Sequence, residues 1–313
     1  MRRALVVGIN DYPGSARLYG CVNDATSIGE VLSSNEDGAP NFDVMLMTKD
    51  HSKAAIKSRL MELFSGDDEI HLFYFSGHGM VNEMGGYIVT PDFQRYDEGI
   101  SMDDILMMAA TSKAMQKVIV LDCCHAGAMG TPVLMGNGMA VLGKGVVILA
   151  SSRDSEKSKE VGGMGVFTSL LLKALHGGAA DIVGDVTAGN IYSYIDRGLG
   201  GWQQRPVFKA NIARSLNLRK VKPPLDLGDL RLLRSYFPEV AYEMPLDPSY
   251  EYTVEGADSE HIRVFKVLRR MQGVGLVEPV DEEYMYWAAM NSGKCRLTPL
   301  GMYYWQLVKE GRI

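Results

Sequence analysis

Cysteine is scarce in this chain: four residues in 313, namely Cys21, Cys123, Cys124 and Cys295. Two of them are adjacent, which speaks against a two-bridge framework and suits a reducing cytoplasm with a reactive thiol. Long apolar runs are also missing; none approaches the roughly 20 residues of a membrane helix. Neither sign of charge dominates. Thirty-two Lys and Arg face 38 Asp and Glu, a formal net charge of -6, which argues against a general nucleic-acid binder. The opening Met1-Arg2-Arg3-Ala4-Leu5-Val6-Val7-Gly8 has a basic pair but only a short apolar run. It reads as a first strand and not as a leader. What is there is ordinary for a soluble globular protein: 46% hydrophobic and 22% charged residues, enough for one large domain plus a smaller one, or two medium ones.

Strand and helix signals alternate through the first two thirds. Strands are expected over Ala4–Ile9, Phe42–Thr48, Glu69–Phe75, Lys117–Leu121 and Gly145–Ala150. Helices are expected over Asn23–Ser33, Ser52–Phe64, Met102–Ala110, Val166–Leu175 and Thr187–Gly198. This alternation predicts an α/β fold, a mostly parallel sheet sandwiched by helices. The segment from Gly127 to Gly145 has six glycines in nineteen residues and no periodicity, which suggests a mobile functional loop.

Two stretches carry the chemistry. Phe75-Ser76-Gly77-His78-Gly79 follows one apolar strand, and Leu121-Asp122-Cys123-Cys124-His125-Ala126-Gly127 follows another. Ligands of open α/β sheets bind at that carboxyl end. A thiolate beside an imidazole is a nucleophile–base pair for acyl transfer, so Cys124 is the candidate nucleophile and His78 the candidate base. The amides of Gly79 and Cys124 are candidates for an oxyanion hole. No cofactor is needed for this chemistry. The near phosphate loop from Gly138 to Gly145 lacks its Ser/Thr and precedes a strand. Cys123, Cys124 and His125 are badly spaced for zinc.

At these motifs the chain resembles the caspase-like cysteine peptidases, most of all the metacaspase and bacterial orthocaspase branch. Val7-Gly8-Ile9-Asn10, Gly20-Cys21-Val22-Asn23-Asp24, Ala150-Ser151-Ser152, Glu160, Gly165-Val166-Phe167-Thr168 and Gln204-Arg205-Pro206-Val207-Phe208 are similar to further landmarks of that branch, in the expected order. The resemblance covers roughly residues 1–215 and aligns the second cysteine of the pair with the nucleophile. It implies an acidic S1 pocket made by Asp24 and Asp122, hence cleavage of protein substrates after Arg or Lys. A helix N-cap remains the other reading of Asp24. The resemblance further implies regulation by a partner, by self-cleavage, with Lys144 and the cluster Arg153, Lys157 and Lys159 as candidate sites, or by calcium. Asp92, Asp103 and Asp104 match three calcium-binding aspartates of such enzymes, and a fourth is missing after the nucleophile motif; Asp103 and Asp104 also suit a helix start. Bacterial fusions of this kind resemble parts of defence systems.

Pro223-Pro224 and Pro245-Leu246-Asp247-Pro248 punctuate the end of the α/β pattern. The expected division is a peptidase domain over 1–215, a connecting segment over 216–250 and a small α+β winged-helix-like domain over 251–313. Residues 226–313 hold ten basic and fourteen acidic side chains, which favours binding a regulatory or sensor protein over DNA. A catalytically silent scaffold on the same fold, signalling through this C-terminal part, is the alternative function.

Overall fold

The computed structural model describes residues 1–130, 141–151, 160–161, 164–199 and 205–313. The opening of the Gly138 segment, part of the glycine-rich loop, Ser152, the Arg153, Lys157 and Lys159 cluster, and Gln204 lie outside the described residues. Two compact units form, Met1–Lys222 and Pro223–Ile313.

In the first unit β1 (Arg2–Gly8) leads into α1 (Cys21–Ser33), β2 (Asp43–Met47), α2 (Lys53–Phe64) and β3 (Ile70–Ser76). Three strands follow, β4 (Gly79–Asn82), β5 (Gly85–Gln94) and β6 (Asp97–Ser101), then α3 (Met102–Thr111), β7 (Gln116–Asp122) and β8 (Val146–Ala150). The chain closes with the short pair β9 (Glu160–Val161) and β10 (Met164–Gly165), α4 (Val166–Lys173), β11 (Asp185–Thr187), α5 (Ala188–Leu199), β12 (Val207–Asn211) and β13 (Asn217–Lys220).

The central sheet has the order β12-β8-β7-β3-β1-β2. All neighbours are parallel except β12, which runs antiparallel to β8. Every residue of β3, β7 and β8 is buried, as expected for strands covered on both faces. Period-two alternation sorts their side chains. Ala4, Val6, Leu72, Tyr74, Val118 and Val120 pack with α1, α4 and α5; Leu5, Val7, Phe73, Phe75, Ile119 and Leu121 pack with α2 and α3. Chain order reverses direction between β1 and β3, a topological switch point where the carboxyl ends of strands open a crevice. The alternation read from the sequence passes over residues 79–101. They form a separate antiparallel sheet, β4-β5-β6, whose strands are joined by turns too short to stand out as loops.

The second unit contains α6 (Leu227–Arg231), α7 (Leu233–Tyr236), β14 (Met244–Pro245), α8 (Ser259–Gly273), β15 (Val277–Val280), α9 (Met285–Met290), β16 (Lys294–Leu297) and α10 (Pro299–Lys309). Asp258 caps α8 by accepting from the amides of Glu260 and His261, and Thr298 caps α10. One sequence expectation changes here. Residues 216–250 are not a free connector: β13 pairs with β11 in the first unit, while Leu230, Leu233 and Phe237 are buried in the second, where Phe237 O accepts from Trp305 Nε1 at 2.6 Å. The small sheet of this unit pairs β15 antiparallel with β16, with α9 between them in sequence and β14 on the far edge of β16. Among the described residues no helix is long and apolar enough to cross a membrane.

Candidate active site

Strands β3 and β7 lie side by side in parallel register, with Ser76 opposite Asp122. Two residues beyond that matched pair stand His78 after β3 and Cys124 after β7, so the register brings both motifs to one level at the carboxyl ends of these strands. The Gly77 amide donates to Asp122 O at 3.4 Å across the gap. Gly79 is required here: a β-carbon on it would collide with the Cys124 carbonyl oxygen and approach Cys123 Sγ to 2.8 Å.

The imidazole of His78 is held from two sides. Its Nε2 lies 2.6 Å from Ala16 O, and a carbonyl can only accept. That ring nitrogen therefore carries the proton, and Nδ1 is the basic one. Tyr12, in the loop after β1, stacks at a tilt on the ring, centroids 4.5 Å apart. The Tyr12 hydroxyl accepts from the His78 amide at 3.0 Å and donates to Val89 O at 3.1 Å. It thus sits between two residues that face each other across β4 and β5, where Val89 N donates back to His78 O at 2.9 Å. Burial pushes the Tyr12 phenol well up, so the hydroxyl stays protonated and can play both parts. Gly79 follows at a non-hydrogen-bonded position opposite Ile88, and β4 is an outer strand of its sheet. Its amide therefore points off the free edge.

The two adjacent thiols differ in environment. Cys123 is fully buried, and burial together with the Asp122 charge pushes its pKa well up. Cys124 is half-buried. Directly after it His125 adopts a left-handed conformation, φ 59°, costly for a side-chain-bearing residue and common at functional turns. Lys209 on β12 reaches back to this turn, its Nζ donating to Gly127 O at 2.8 Å and Met129 O at 2.7 Å.

Asp24 and Asp122, both buried, meet around Gly165 at the start of α4. A β-carbon there would lie 2.5 Å from Asp122 Oδ2 and 3.3 Å from Asp24 Oδ2. Asp24 Oδ1 accepts from the Gly165 amide at 3.2 Å and Oδ2 from Ser76 Oγ at 3.2 Å. Asp122 accepts from Thr168 Oγ1 at 2.7 Å, and that hydroxyl lies 2.5 Å from the Tyr74 hydroxyl. Burial, then the charges of Asp122 and Asp24, push the Tyr74 phenol well up. Asp24 is not the N-cap of its own helix: Gly20 holds that position, and the Asp24 carboxylate reaches the first turn of α4 instead.

The three calcium candidates do not converge. Asp92 accepts from the Lys53 amide at 3.1 Å through both oxygens, and Asp104 pairs with Lys57 at 3.2 Å. Asp103 stands in the first turn of α3. Among the described residues no three His, Cys, Asp or Glu side chains are gathered to hold a metal ion, so this donor set does not fit calcium. Lys144 is exposed just before β8.

Tyr12, the Ala16 carbonyl and Lys209 escaped the sequence analysis. None belongs to a motif of local chemistry; each acts through the loop or strand that delivers it. The one available signal was Asn10, at the end of the first strand motif. Its side chain accepts from the Val22 amide and donates to Tyr19 O, both at 3.2 Å, closing the loop that carries Tyr12 and Ala16.

The family model for the Caspase domain matches residues 1–216. Metacaspase-2 of Trypanosoma brucei brucei is 29% identical over 199 residues, 51% of this chain and 56% of the relative. Metacaspase-1 of Saccharomyces cerevisiae is 29% identical over 148 residues, 40% of this chain and 33% of the relative. The chain thus spans about half the length of the first and a third of the second. A crystal structure of a Geobacter sulfurreducens protein superposes with a TM-score of 0.52 at 16% identity, covering 70% of this chain and 99% of that one, a likeness of fold alone.

Proposed function

The chain belongs to the caspase-domain family of cysteine peptidases, and from that premise we propose that it is an endopeptidase that cuts protein chains after Arg or Lys. The observation that carries this reading is the register of β3 and β7, with His78 and Cys124 each two residues past the Ser76–Asp122 pair and the His78 ring fixed by Ala16 O.

The steps follow from the atoms. Cys124 gives its proton to His78 Nδ1, and the sulfur attacks the carbonyl carbon of the scissile bond. The oxygen takes up the negative charge beside the amides of Gly79 and Cys124, donors that need no reorganisation. As the tetrahedral intermediate collapses, the C–N bond breaks. The imidazolium of His78 protonates the leaving amine, which departs as the new N-terminus. Water then loses a proton to the same ring and attacks the thioester; the C–S bond breaks and the thiol is restored. Asp24 and Asp122, which meet around Gly165, supply the negative charge. A guanidinium suits two such carboxylates because its fixed fork serves both, and an ammonium serves them as a point charge.

Regulation belongs to the same proposal: self-cleavage after exposed Lys144, and a protein partner bound by the second unit. The experiment is a peptide-library cleavage profile with and without calcium, run on the full chain. Cleavage after Arg and Lys, lost in Cys124→Ala, is expected; preference for Asp, or no turnover together with no labelling of Cys124 by an arginyl electrophile, refutes the reading in favour of a silent scaffold. Given how the three aspartates are placed, calcium is expected to leave the rate unchanged.

A further inference from the structure

At the amino end of the central sheet, away from the proposed chemistry, lies a cavity of about 530 Å³. Its walls are the turn of residues 112–117 into β7, the residues Lys144 and Gly145 before β8, and the stretch 212–216 after β12. Four cations line it, Lys113, Lys117, Lys144 and Arg214, and no carboxylate does. Among the described residues none of the four forms an ion pair.

Two groups at the floor of the cavity are unusual for a merely structural hollow. Lys117 is buried, and its Nζ is held only by carbonyls: Lys144 O at 2.8 Å, Ala114 O at 3.3 Å and Ser112 O at 3.4 Å. Burial draws its pKa down from the usual lysine value. Gln116, 1% exposed, uses its Oε1 to accept from the Leu216 amide at 2.9 Å, while its Nε2 has no hydrogen-bond partner among the described residues. A buried donor without an acceptor is rare and asks for a reason. Nε2 and the cations share one deficit among the described residues: none is in direct contact with a carboxylate, although the charge of Arg214 is felt by Glu69. One carboxylate would not balance four positive side chains, so a multiply charged anion answers the site better. Ile212, Leu216 and Met115 supply apolar wall, and the volume falls in the range of small-molecule sites.

We propose that this cavity binds a small organic polyanion, a phosphorylated metabolite of about nucleotide size, with its charged group against Gln116, Lys144 and Arg214 and its less polar body against Ile212 and Leu216. The site does not depend on the peptidase reading, and its test reads binding alone. Lys117 ties the turn before β7 to the residue before β8, and β12, which precedes the third wall, carries Lys209, the side chain that holds the turn after Cys124. An occupant would brace these three segments together.

The experiment titrates the full chain at low salt with ATP and, separately, with inorganic pyrophosphate, by calorimetry. ATP is expected to bind saturably at one site, more tightly than pyrophosphate, and more weakly as salt rises. The exposed pair Lys144→Glu with Arg214→Glu is expected to raise the dissociation constant for ATP at least about tenfold, the factor that one lost charge-assisted contact carries. If that pair unfolds, Lys113→Glu, on the exposed turn, makes the same comparison. No saturable binding of ATP, or an affinity that the substitutions leave unchanged, overturns the proposal; pyrophosphate binding as tightly as ATP overturns its organic half.

Discussion

The two ends of the central sheet bury opposite charges and stabilise them by the same means. At the carboxyl end the anions Asp24 and Asp122 accept from the Gly165 amide and from the hydroxyls of Ser76 and Thr168. At the amino end the cation Lys117 donates to three carbonyls. Dipoles stabilise a buried charge while leaving its sign to be felt by a ligand. On the two proposals above, one end would receive cations and the other anions, with Cys124, the proposed nucleophile, just past β7 at the carboxyl end. The amino end has a second, different arrangement beside it, where charge is matched by charge: Asp68 accepts from the Arg3 guanidinium at 2.6 Å, and the neutral His71 ring adds a bond from Nε2 at 3.0 Å.

The largest break in this comparison is expected from the thiols. Cys124→Ala removes about 10⁴-fold or more of kcat/KM on an arginyl peptide, whereas Cys123→Ala, which alters a buried, protonated thiol, changes it only a few-fold; equal losses would mean that the nucleophile is misassigned. Next come the anions. Asp24→Asn and Asp122→Asn each weaken kcat/KM for Arg and Lys substrates about 10- to 100-fold, with thermal unfolding measured in parallel. If the substitutions cost stability but leave substrate preference untouched, the carboxylates serve only α4.

A smaller effect separates positioning from chemistry. Tyr12→Phe keeps the ring against His78 but removes the hydroxyl that joins the His78 amide to Val89 O. It is expected to lower kcat about tenfold with KM little changed, and to cost about 1 kcal/mol of stability. An unchanged kcat with the same loss of stability would assign Tyr12 to the fold alone.

The smallest effect concerns pH at the amino end. Burial lowers the His71 pKa and outweighs the bond to Asp68 that raises it; Arg3 and Lys117 face the ring and lower it further. For Asp68 burial alone would raise the pKa, but the bonds from His71 and Arg3 hold it below the usual carboxylate value. A depressed histidine is kept neutral by the fold. Its contribution is intact above the unfolded value near 6.5 and is lost as pH falls through the folded value, while Asp68 remains ionised over that window. The melting temperature is expected to fall between pH 7 and 5 and the slope to flatten in His71→Gln; an unchanged slope would show that the ring does not titrate against folding.

Much of the first unit was legible because its strands are buried on both faces and read as plain apolar runs. Asp122 to Gly127 and Ser76 to Gly79 were legible too, since glycines and a thiol beside a strand end have few other uses. The antiparallel sheet β4-β5-β6 was not, because half-exposed strands with tight turns leave a weak local signal. The same limit hid the packing of residues 226–250 into the second unit, where short elements are fixed by mutual contact, as with the Trp305 indole on Phe237 O. The spread of Asp92, Asp103 and Asp104 was equally invisible: proximity in sequence says nothing about which carboxylate a neighbouring lysine will claim.

By itself the sequence determined the parallel strands of the central sheet, the helices that cover them and which reactive side chains follow the strand ends, since periodicity and residue chemistry are local properties. Only the tertiary structure decided that Asp24 and Asp122 meet across Gly165, that Tyr12 and Ala16 grip the ring of His78, and that one of two neighbouring thiols is sealed from water. Those outcomes depend on strand order and register, which bring together residues up to 141 positions apart in the chain and are set by how whole faces pack.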